Sequence, residues 1–539
     1  MTASNEIKVI KKLIHEAKFS EAEILLKTKP FNKTNPEYSQ LLGVIAFQKQ
    51  RFTEAVVFFE KAEKQLSDDG FLQNNLGHVY KILGLKEKAK LAFKKAADCR
   101  IDFAEPLNQL GLLFKQEGLL EQAQEVFLKA ISRNIDFAEA HYNFAVLLEE
   151  MDRSSEAREY YKCALKAKPD YVQAINNLGV ITDELGEHKN AEKLYRNGIS
   201  ISPKTPELYC SLGSCLQQQG KYSEAVNEFH KAVKLDPDFL INKWNLGFLQ
   251  LAMGNLSEGW ENYRYRHTVD RQSLLMPTKR LPLNLEGQII RVTGEQGLGD
   301  QIFFSRFLSE LKNRGATIKF KPDLKIQSLF QRMDGITVGD INVPDYSIAD
   351  LPYLLENNTI VNSVIFEPKE ENQLRMLRRL AHCGSPPYIG VTYQAGGVGA
   401  KTLFKIAPPG EIGSVLSENS STIISVQRNP KTDELNKMST YAGREVFNFS
   451  DVNENLEDAL ALMAVLDDYI GVSNTNLHLR AAVGRSARVL VTHPGEFRWQ
   501  VRGSRSPWFP NFELYRQDFN LSWERAFAKL GVDIKKKYD

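Results

Sequence analysis

A glycine-rich stretch near the middle of the chain holds one acidic residue that can act as a base. The stretch GEQGLGD (residues 294–300) follows an apolar run typical of a strand and opens a run typical of a helix. Glycine lets backbone N–H groups approach a ligand, and the start of a helix favours an anion. The spacing differs from the GxGxxG fingerprint of dinucleotide sites. Asp300 is therefore a candidate general base, and the alternative is that its carboxylate only caps the helix.

A second polar loop, SNTNLH (residues 473–478), lies between the strand-like run DYIGV and a helix-like run. In open α/β sheets, ligands bind at the carboxyl ends of the strands, which is where this loop stands. Either of its first two residues can cap the helix. His478 can donate to a phosphate or a sugar hydroxyl, and the alternative is a structural histidine. We predict that the ligand of this loop, which we call the donor, is bound by Ser473, Asn474, Thr475 and His478.

A third group combines arginine with tryptophan near the end of the chain. Arg498 precedes Trp499, and Trp508 follows ten residues after Arg498. An arginine beside an aromatic ring can anchor an aromatic or anionic ligand, so Arg498 is a further candidate for donor binding. The alternative is that the tryptophans seal two sheets together.

These candidates must be positioned by alternating strands and helices, which begin near residue 288. The alternation predicts two parallel sheets covered by helices, divided near residues 385–387. Strands are predicted at about 288–293, 317–321, 335–338, 388–393, 422–426, 446–449, 468–472, 487–491 and 512–515. Helices are predicted near 300–314, 324–333, 370–383, 409–418, 431–439, 454–465, 475–484 and 521–530. Two facing Rossmann-like sheets with a cleft between them are the economical arrangement.

The chain ahead of the strands repeats with a step of 34 residues. An apolar residue followed by a small one recurs at Leu42-Gly43, Leu76-Gly77, Leu110-Gly111, Phe144-Ala145, Leu178-Gly179, Leu212-Gly213 and Leu246-Gly247. An aromatic residue keeps the same step at Phe59, Phe93, Phe127, Tyr161, Tyr195, Phe229 and Tyr263. The small residues let two helices of one unit approach closely, and we expect the aromatic ring to fill the space between neighbouring units. Residues 4–34 hold a degenerate first unit, which gives about eight.

This pattern resembles the tetratricopeptide repeat (TPR), whose helical pairs stack into a superhelix with a concave groove. In that fold the position before each apolar–small pair lines the groove. A carboxamide there can hold an extended peptide backbone, and the alternative is that it satisfies local polar groups. The residues predicted to bind an acceptor chain are Asn75, Asn143, Asn177 and Asn245.

Composition excludes several classes of protein. A net charge of +2 over 539 residues argues against a nucleic-acid protein held by a basic face. The five cysteines show no metal-ligand spacing, and reduced thiols of a cytosolic protein account for them. The first residues lack the apolar core of a signal peptide, and no apolar run approaches the roughly 20 residues of a membrane span. We therefore expect a cytoplasmic protein.

Residues 288–530 resemble the GT-B domain that follows TPR arrays in bacterial proteins related to ADP-heptose lipopolysaccharide heptosyltransferases. The segments that carry the resemblance are residues 294–311, 473–484 and 496–510. Asp300 matches the position of that family's catalytic base. Thr475 and His478 match its donor loop, in which Asn474 replaces an aspartate. The overall plan also resembles protein O-GlcNAc transferases, which hold acceptors on an asparagine ladder, and TPR-linked flagellin glycosyltransferases.

The resemblance also points to the segment TYQAGGVGAK (residues 392–401), where the family carries a Trp-Ala-Gly and Lys/Arg pattern. Tyrosine replaces the tryptophan, and most of the basic residues are absent. Gln394 and Lys401 remain where they can meet a diphosphate. Lys401 suits a leaving group that gains charge, and the alternative is an exposed loop lysine.

The expected fold is therefore α plus α/β, a TPR solenoid followed by a GT-B-like pair of Rossmann-type subdomains. The predicted boundaries are 1–270 for the repeats, 271–287 for a linker or arm, 288–385 for the acceptor-side subdomain and 386–539 for the donor-side subdomain. The resemblance implies a metal-independent transfer of sugar from a nucleotide-sugar to Ser/Thr hydroxyls of a protein, flagellin first, with no cofactor. The alternative is a TPR adaptor or chaperone whose transferase-like domain is catalytically degenerate.

Overall fold

The structure is a computed structural model that describes residues 3–28, 35–268, 277–395 and 405–538. The chain packs as two compact units, Met1–Pro203 and Lys204–Asp539. The first unit is helical throughout its described part, and the second joins further helices to parallel sheets. No helix in the described ranges is long and apolar enough to cross a membrane.

The first unit consists of antiparallel helical pairs, including one in the degenerate N-terminal segment. Asn35 caps the second pair, accepting from the Glu37 N–H at 2.9 Å, and Pro36 occupies the first helical position. The helices are α1 (Ala3–His15), α2 (Phe19–Thr28), α3 (Pro36–Gln48), α4 (Phe52–Glu63), α5 (Gly70–Ile82), α6 (Lys86–Cys99), α7 (Glu105–Gln116), α8 (Leu120–Arg133), α9 (Ala138–Glu150), α10 (Ser154–Ala167), α11 (Val172–Glu184) and α12 (His188–Ile201).

In most units the small residue of the repeat is a glycine, and an aromatic ring lies against it. A Cβ on Gly43 would stand 2.5 Å from the Phe59 ring, and the next unit repeats that distance between Gly77 and Phe93. The expectation that the ring fills the space between units therefore holds only in part, since it first fills its own pair. Phe127 also reaches the next unit, with its ring centroid 6.5 Å from that of Phe144.

The second unit opens with two more helical pairs and continues into the first parallel sheet. The order of that sheet is β3-β2-β1-β4, with Val292 opposite Phe320 and Tyr346. Its elements are α13 (Pro206–Gln218), α14 (Tyr222–Leu235), α15 (Leu240–Ala252), α16 (Leu256–Tyr263), β1 (Ile289–Thr293), α17 (Leu298–Phe304), α18 (Leu308–Asn313), β2 (Thr317–Lys321), α19 (Gln327–Phe330), β3 (Ile336–Val338), β4 (Tyr346–Ser347), α20 (Leu351–Leu354) and α21 (Glu370–Ala381).

The rest of the second unit forms a six-stranded parallel sheet and a short antiparallel hairpin. The sheet order is β12-β11-β10-β5-β8-β9, and the hairpin pairs β6 with β7. The elements are β5 (Tyr388–Thr392), β6 (Gln394–Ala395), β7 (Lys405–Ile406), α22 (Pro409–Ser417), β8 (Thr422–Ser425), α23 (Thr432–Ala442), β9 (Val446–Asn448), α24 (Leu456–Val465), β10 (Asp468–Val472), α25 (Thr475–Ala482), β11 (Ala487–Val491), β12 (Phe512–Arg516) and α26 (Glu524–Tyr538).

The predicted α plus α/β class is confirmed, with local corrections. The helix predicted near 324–333 is a 3-10 turn at Leu324–Ile326 followed by the short helix α19, and α20 was not predicted. The helix predicted near 300–314 is broken by a 3-10 turn at Ser305–Phe307. The helix predicted near 521–530 starts at Glu524 and continues to Tyr538. The short strand β4 and the hairpin β6–β7 were not predicted, because two-residue strands show no period that a sequence pattern can reveal.

The segment predicted as a linker lies partly outside the described residues, which resume at Pro277. Its described part is an arm against the first sheet's helices. The Leu281 N–H donates to the Leu354 carbonyl at 2.8 Å, and the Leu285 N–H donates to the Arg314 carbonyl at 2.7 Å.

The last repeat, α15 and α16, shares one hydrophobic core with both sheets. Trp260 of α16 is buried, and its ring centroid lies 6.2 Å from that of Phe304 and 5.6 Å from that of Phe497. Two backbone carbonyls at the ends of repeat helices also contact the α/β part of this unit. Ala252 accepts from the Val501 N–H at 2.9 Å, and Gln218 is 2.7 Å from the His493 ring nitrogen Nε2.

A buried ion cluster completes this joint. Arg266 follows α16 and pairs with Glu295 after β1, at 2.6 Å, and with Asp350 before α20, at 2.8 Å. All three side chains are buried, so the shared guanidinium helps to compensate the two carboxylates.

Candidate active site

A cleft of about 730 Å³ lies between the start of α17 and the carboxyl ends of β5, β8 and β10. Both sheets contribute to it, as the sequence predicts. Every described residue that we predicted for catalysis or donor binding lines it: Asp300, Gln394, Ser473, Asn474, Thr475, His478 and Arg498. Lys401 lies outside the described residues.

Asp300 stands in the first turn of α17 and is 25% exposed. Its Oδ2 accepts from the Gly297 N–H at 3.2 Å, which is the helix-capping contact given above as the alternative. Its Oδ1 pairs with the Arg498 guanidinium. The same carboxylate also opens on the cleft, so its role as a base stays a prediction.

Asn474 caps α25. Its Oδ1 accepts from the Leu477 N–H at 3.1 Å, and its Nδ2 donates to the Thr392 hydroxyl at 2.7 Å. These two bonds fix the 473–478 loop to the end of β5. Thr475 becomes the first residue of α25, so the free N–H groups of that helix start at the cleft.

His478 is 4% exposed, and its Nδ1 has no hydrogen-bond partner among the described residues. Burial, reinforced by the positive charge of Arg498, lowers the pKa of His478 well below its ordinary value. The ring is therefore neutral at pH 7 and offers one N–H donor and one acceptor. A neutral histidine that lines the cleft fits hydrogen bonding to a sugar or a phosphate better than ion pairing.

A salt bridge that sequence reasoning missed lies deeper in the cleft. The Lys405 ammonium pairs with Oε1 of Glu496, and the Ser473 hydroxyl donates to Oε2 at 2.5 Å. Burial opposes the charge of Glu496, but Lys405 and Arg498 outweigh it and lower the pKa of Glu496 to about 2. No motif signalled this pair, since its members are 91 positions apart.

Arg498 is 5% exposed. Within the described residues, its guanidinium pairs with carboxylates of the protein. It pairs with Asp300 and lies 3.5 Å from Glu496, and its guanidinium carbon is 4.6 Å from the Phe303 ring centroid. Its predicted contact with a donor stays a prediction. Trp499 and Trp508 are buried in the shared core, which agrees with the sealing role given as the alternative.

Gln394 reaches the cleft from β6, where its backbone is held on both sides. Gln427, at the end of β8, accepts from the Gln394 N–H at 3.0 Å and donates to the Gln394 carbonyl at 3.1 Å. Two exposed cations that sequence reasoning missed, Arg428 and Lys431, also line the cleft.

The four asparagines predicted to bind an acceptor chain are partly buried. Three of them donate to a neighbouring residue: Asn143 to the Asn108 oxygen at 2.9 Å, Asn177 to the Tyr161 hydroxyl at 3.0 Å and Asn245 to the Cys210 sulfur at 3.7 Å. The local polar role given as the alternative is therefore present for these three. Acceptor binding by the four, including Asn75, stays a prediction.

Models of the tetratricopeptide repeat match residues 72–98, 108–171, 142–206 and 206–239. The helical pairs within these ranges are tetratricopeptide repeats. The chain is also similar to Protein FlbA of Caulobacter vibrioides, with 22% identity over 324 residues that cover 53% of each chain. It thus spans about half the length of that curated relative.

Two solved structures are similar to about a third of this chain. One is YrrB, described as a TPR protein with an unusual peptide-binding site, with 17% identity, a TM-score of 0.30, and coverage of 34% of this chain and 95% of that one. The other is MamA, with 27% identity, a TM-score of 0.29, and coverage of 32% and 94%.

Proposed function

We propose that this TPR protein transfers a sugar from a nucleotide-sugar to Ser or Thr hydroxyls of a protein acceptor. The observation that supports the proposal is the cleft, which gathers Asp300 and the 473–478 loop at the carboxyl ends of parallel strands. Its volume, about 730 Å³, lies within the range of small-molecule sites, roughly 300–1,000 Å³.

In this proposal Asp300 takes the proton of the acceptor hydroxyl while its oxygen bonds to the sugar carbon. The bond between that carbon and the donor phosphate breaks, and the electron pair stays on the phosphate. The first N–H groups of α25 and Thr475 receive the phosphate, together with Lys401. The neutral His478 donates a hydrogen bond there, so the step needs no metal ion.

The repeats hold the acceptor in this proposal and so raise its effective concentration at the cleft. Flagellin is the first candidate acceptor, because the order of TPR array and transferase-like domain resembles that of flagellin glycosyltransferases. That choice rests on architecture alone.

A TPR adaptor or chaperone is the second candidate, and two observations favour it. Two cations that line the cleft, the partly buried Lys405 and the buried Arg498, already pair with the protein's own carboxylates. Asn474 occupies a position where the transferase family has an aspartate, and its amide serves as a helix cap. A cleft arranged in this way is also compatible with a domain that only binds.

Two measurements separate the candidates. Thermal shifts with UDP, GDP, ADP and CMP test donor binding, since a nucleotide at 100 times its Kd stabilises by about 2.7 kcal/mol. Mass spectrometry of flagellin co-expressed with the protein tests transfer through the mass of an added sugar. The adaptor hypothesis replaces the transferase hypothesis if no nucleotide shifts the Tm and if neither flagellin nor another candidate acceptor is modified.

Asp300→Ala tests the base directly. We expect it to abolish transfer while nucleotide shifts and acceptor binding persist, because the residue acts on the hydroxyl proton. Asp340→Ala is the matched control, since its exposed carboxylate lies outside the cleft. Normal turnover in Asp300→Ala would show that another group is the base.

A further inference from the structure

Arg498 connects the two carboxylates of the cleft. One arm of its guanidinium contacts Asp300 on α17, and the other lies 3.5 Å from Glu496. Glu496 in turn accepts from the Ser473 hydroxyl at 2.5 Å and pairs with Lys405. A continuous chain of ionic and hydrogen-bond contacts thus runs from Asp300, the candidate base, to Ser473 in the donor loop.

The position of the guanidinium is fixed by its surroundings as well as by its charges. Its central carbon lies 4.6 Å from the Phe303 ring centroid and 4.8 Å from that of Phe497. Both rings belong to the core shared by the repeats and the sheets, so they hold the cation in place. A planar fork in such a site can keep two carboxylates in a set orientation, which a flexible ammonium cannot do as well.

The charges along this chain balance. Lys405 and Arg498 supply two positive charges, while Asp300 and Glu496 supply two negative ones. A donor phosphate that enters the cleft therefore meets an arginine whose charge is already compensated. This is a different task from the donor contact that the sequence suggests for Arg498.

We propose that Arg498 is a positioning residue, which holds the Asp300 carboxylate towards the acceptor and ties it through Glu496 to Ser473 of the donor loop. The inference rests on the proposed transfer reaction and adds to it a requirement for this arginine. A misplaced base is costly, since an error of about 1 Å can reduce a rate by roughly 100-fold. Removal of Arg498 therefore lowers turnover much more than it weakens donor binding.

The test compares Arg498→Met, Arg498→Lys and the control Arg505→Met, whose side chain is exposed seven positions further along the chain. The reaction is followed by mass spectrometry of co-purified flagellin, and nucleotide affinity by calorimetry with UDP, GDP, ADP and CMP. We expect Arg498→Met to lower kcat by at least ~10-fold with the nucleotide Kd within about 3-fold. Arg498→Lys should recover part of kcat, and Arg505→Met all of it.

A second measurement does not depend on activity. The Tm of Asp300→Asn, Arg498→Met and the double variant forms a cycle in which contacting residues are not additive. We expect the double variant to lose less Tm than the two single losses together, by roughly 2 °C or more. Additive losses would overturn the contact itself, whether or not the protein transfers a sugar.

The outcomes separate the two proposals. An unchanged kcat in Arg498→Met, or a loss confined to nucleotide affinity, overturns the positioning role while the transferase stands. If the wild-type protein binds none of the four nucleotides and modifies no acceptor, the transferase proposal is wrong. The Asp300–Arg498 pair then has no catalytic role. A low kcat with intact affinity, partial rescue by lysine and a non-additive cycle supports the inference.

Discussion

Replacing Gly299 by alanine tests the close approach of α17 to α25, on which the cleft depends. A Cβ at Gly299 would stand 2.7 Å from Cδ2 of His478 and 3.4 Å from the Cα of Thr475. Carbon atoms prefer separations of about 3.5–4.0 Å, so the new methyl group is too close to the ring by roughly 0.8 Å or more. The ring or the helix must therefore move.

The ring has little room to move. His478 is buried, and its centroid lies 6.1 Å from that of Phe303 and 5.6 Å from that of Phe509. Forcing a methyl group into such packing costs about 1–3 kcal/mol. Alanine regains at most about 1 kcal/mol over glycine by its helix propensity, so we expect a net loss.

The assay is the thermal unfolding midpoint (Tm) of Gly299→Ala, and the two controls are Gly339→Ala and a double variant with His478→Ala. A Cβ at Gly339 meets no atom within 4 Å, so Gly339→Ala carries no steric cost. A net loss of 1–2 kcal/mol corresponds to a Tm lower by roughly 2–8 °C. Adding His478→Ala makes room for the methyl group, so the double variant should lose less than the single losses together. A Gly299→Ala protein as stable as Gly339→Ala would refute the close approach of the two helices.

Three further predictions concern charge and polar contacts. Burial raises the pKa of Glu496, but Lys405, Arg498 and the Ser473 hydroxyl together hold it at about 2 instead of 4.5, a depression worth about 3 kcal/mol of stability above pH 4.5 that is lost as the pH falls towards 2. Lys405→Met removes the largest of these three contributions. The variant should therefore lose more stability against wild type at pH 7 than at pH 3, and equal losses in urea unfolding would contradict the pairing. Arg266→Met removes the cation between two buried carboxylates and should cost about 3–5 kcal/mol, whereas a loss below about 1 kcal/mol would show that the cluster is not compensated as described. Alanine at all four groove asparagines should weaken acceptor binding by at least ~10-fold without altering nucleotide shifts, because each lost hydrogen bond is worth about 0.5–1.5 kcal/mol; unchanged affinity would favour the adaptor. The four positions are Asn75, Asn143, Asn177 and Asn245.

Much of the fold could be predicted because its helices and strands produce local patterns in the sequence. The 34-residue step marks each helical pair, and the runs DYIGV and ARVLV predict β10 and β11, whose five residues are all buried. The 473–478 loop could be placed at the cleft because it follows one of these strands. The helix predicted near 300–314 failed locally, since the Ser305 hydroxyl donates to the Ile302 carbonyl at 2.7 Å where the chain turns to 3-10 geometry.

The ionic partners could not be predicted, because only tertiary packing brings them together. Asp300 and Arg498 stand 198 positions apart, and the sequence suggested a separate role for each. Arg266 follows the last repeat helix, and no local pattern indicates Glu295 or Asp350 as its partners. Local pattern identifies which residues have useful chemistry, whereas the choice among their partners is made by the folded chain.

The core shared by α15, α16 and the two sheets has a consequence for how such a protein can change over time. The described units of 34 residues ahead of Lys204 contribute no residue to the core around Trp260 or to the lining of the cleft, so their number can change without removing a residue from either. The last repeat, α15 and α16, cannot be exchanged in this way, because its apolar face also packs against the α/β part. A fragment that starts at residue 288 would expose those faces of the sheets to water, while one that starts at Lys204 would keep them covered. The part that must stay together is therefore the last repeat with the two sheets, whereas the repeats ahead of Lys204 can vary in number.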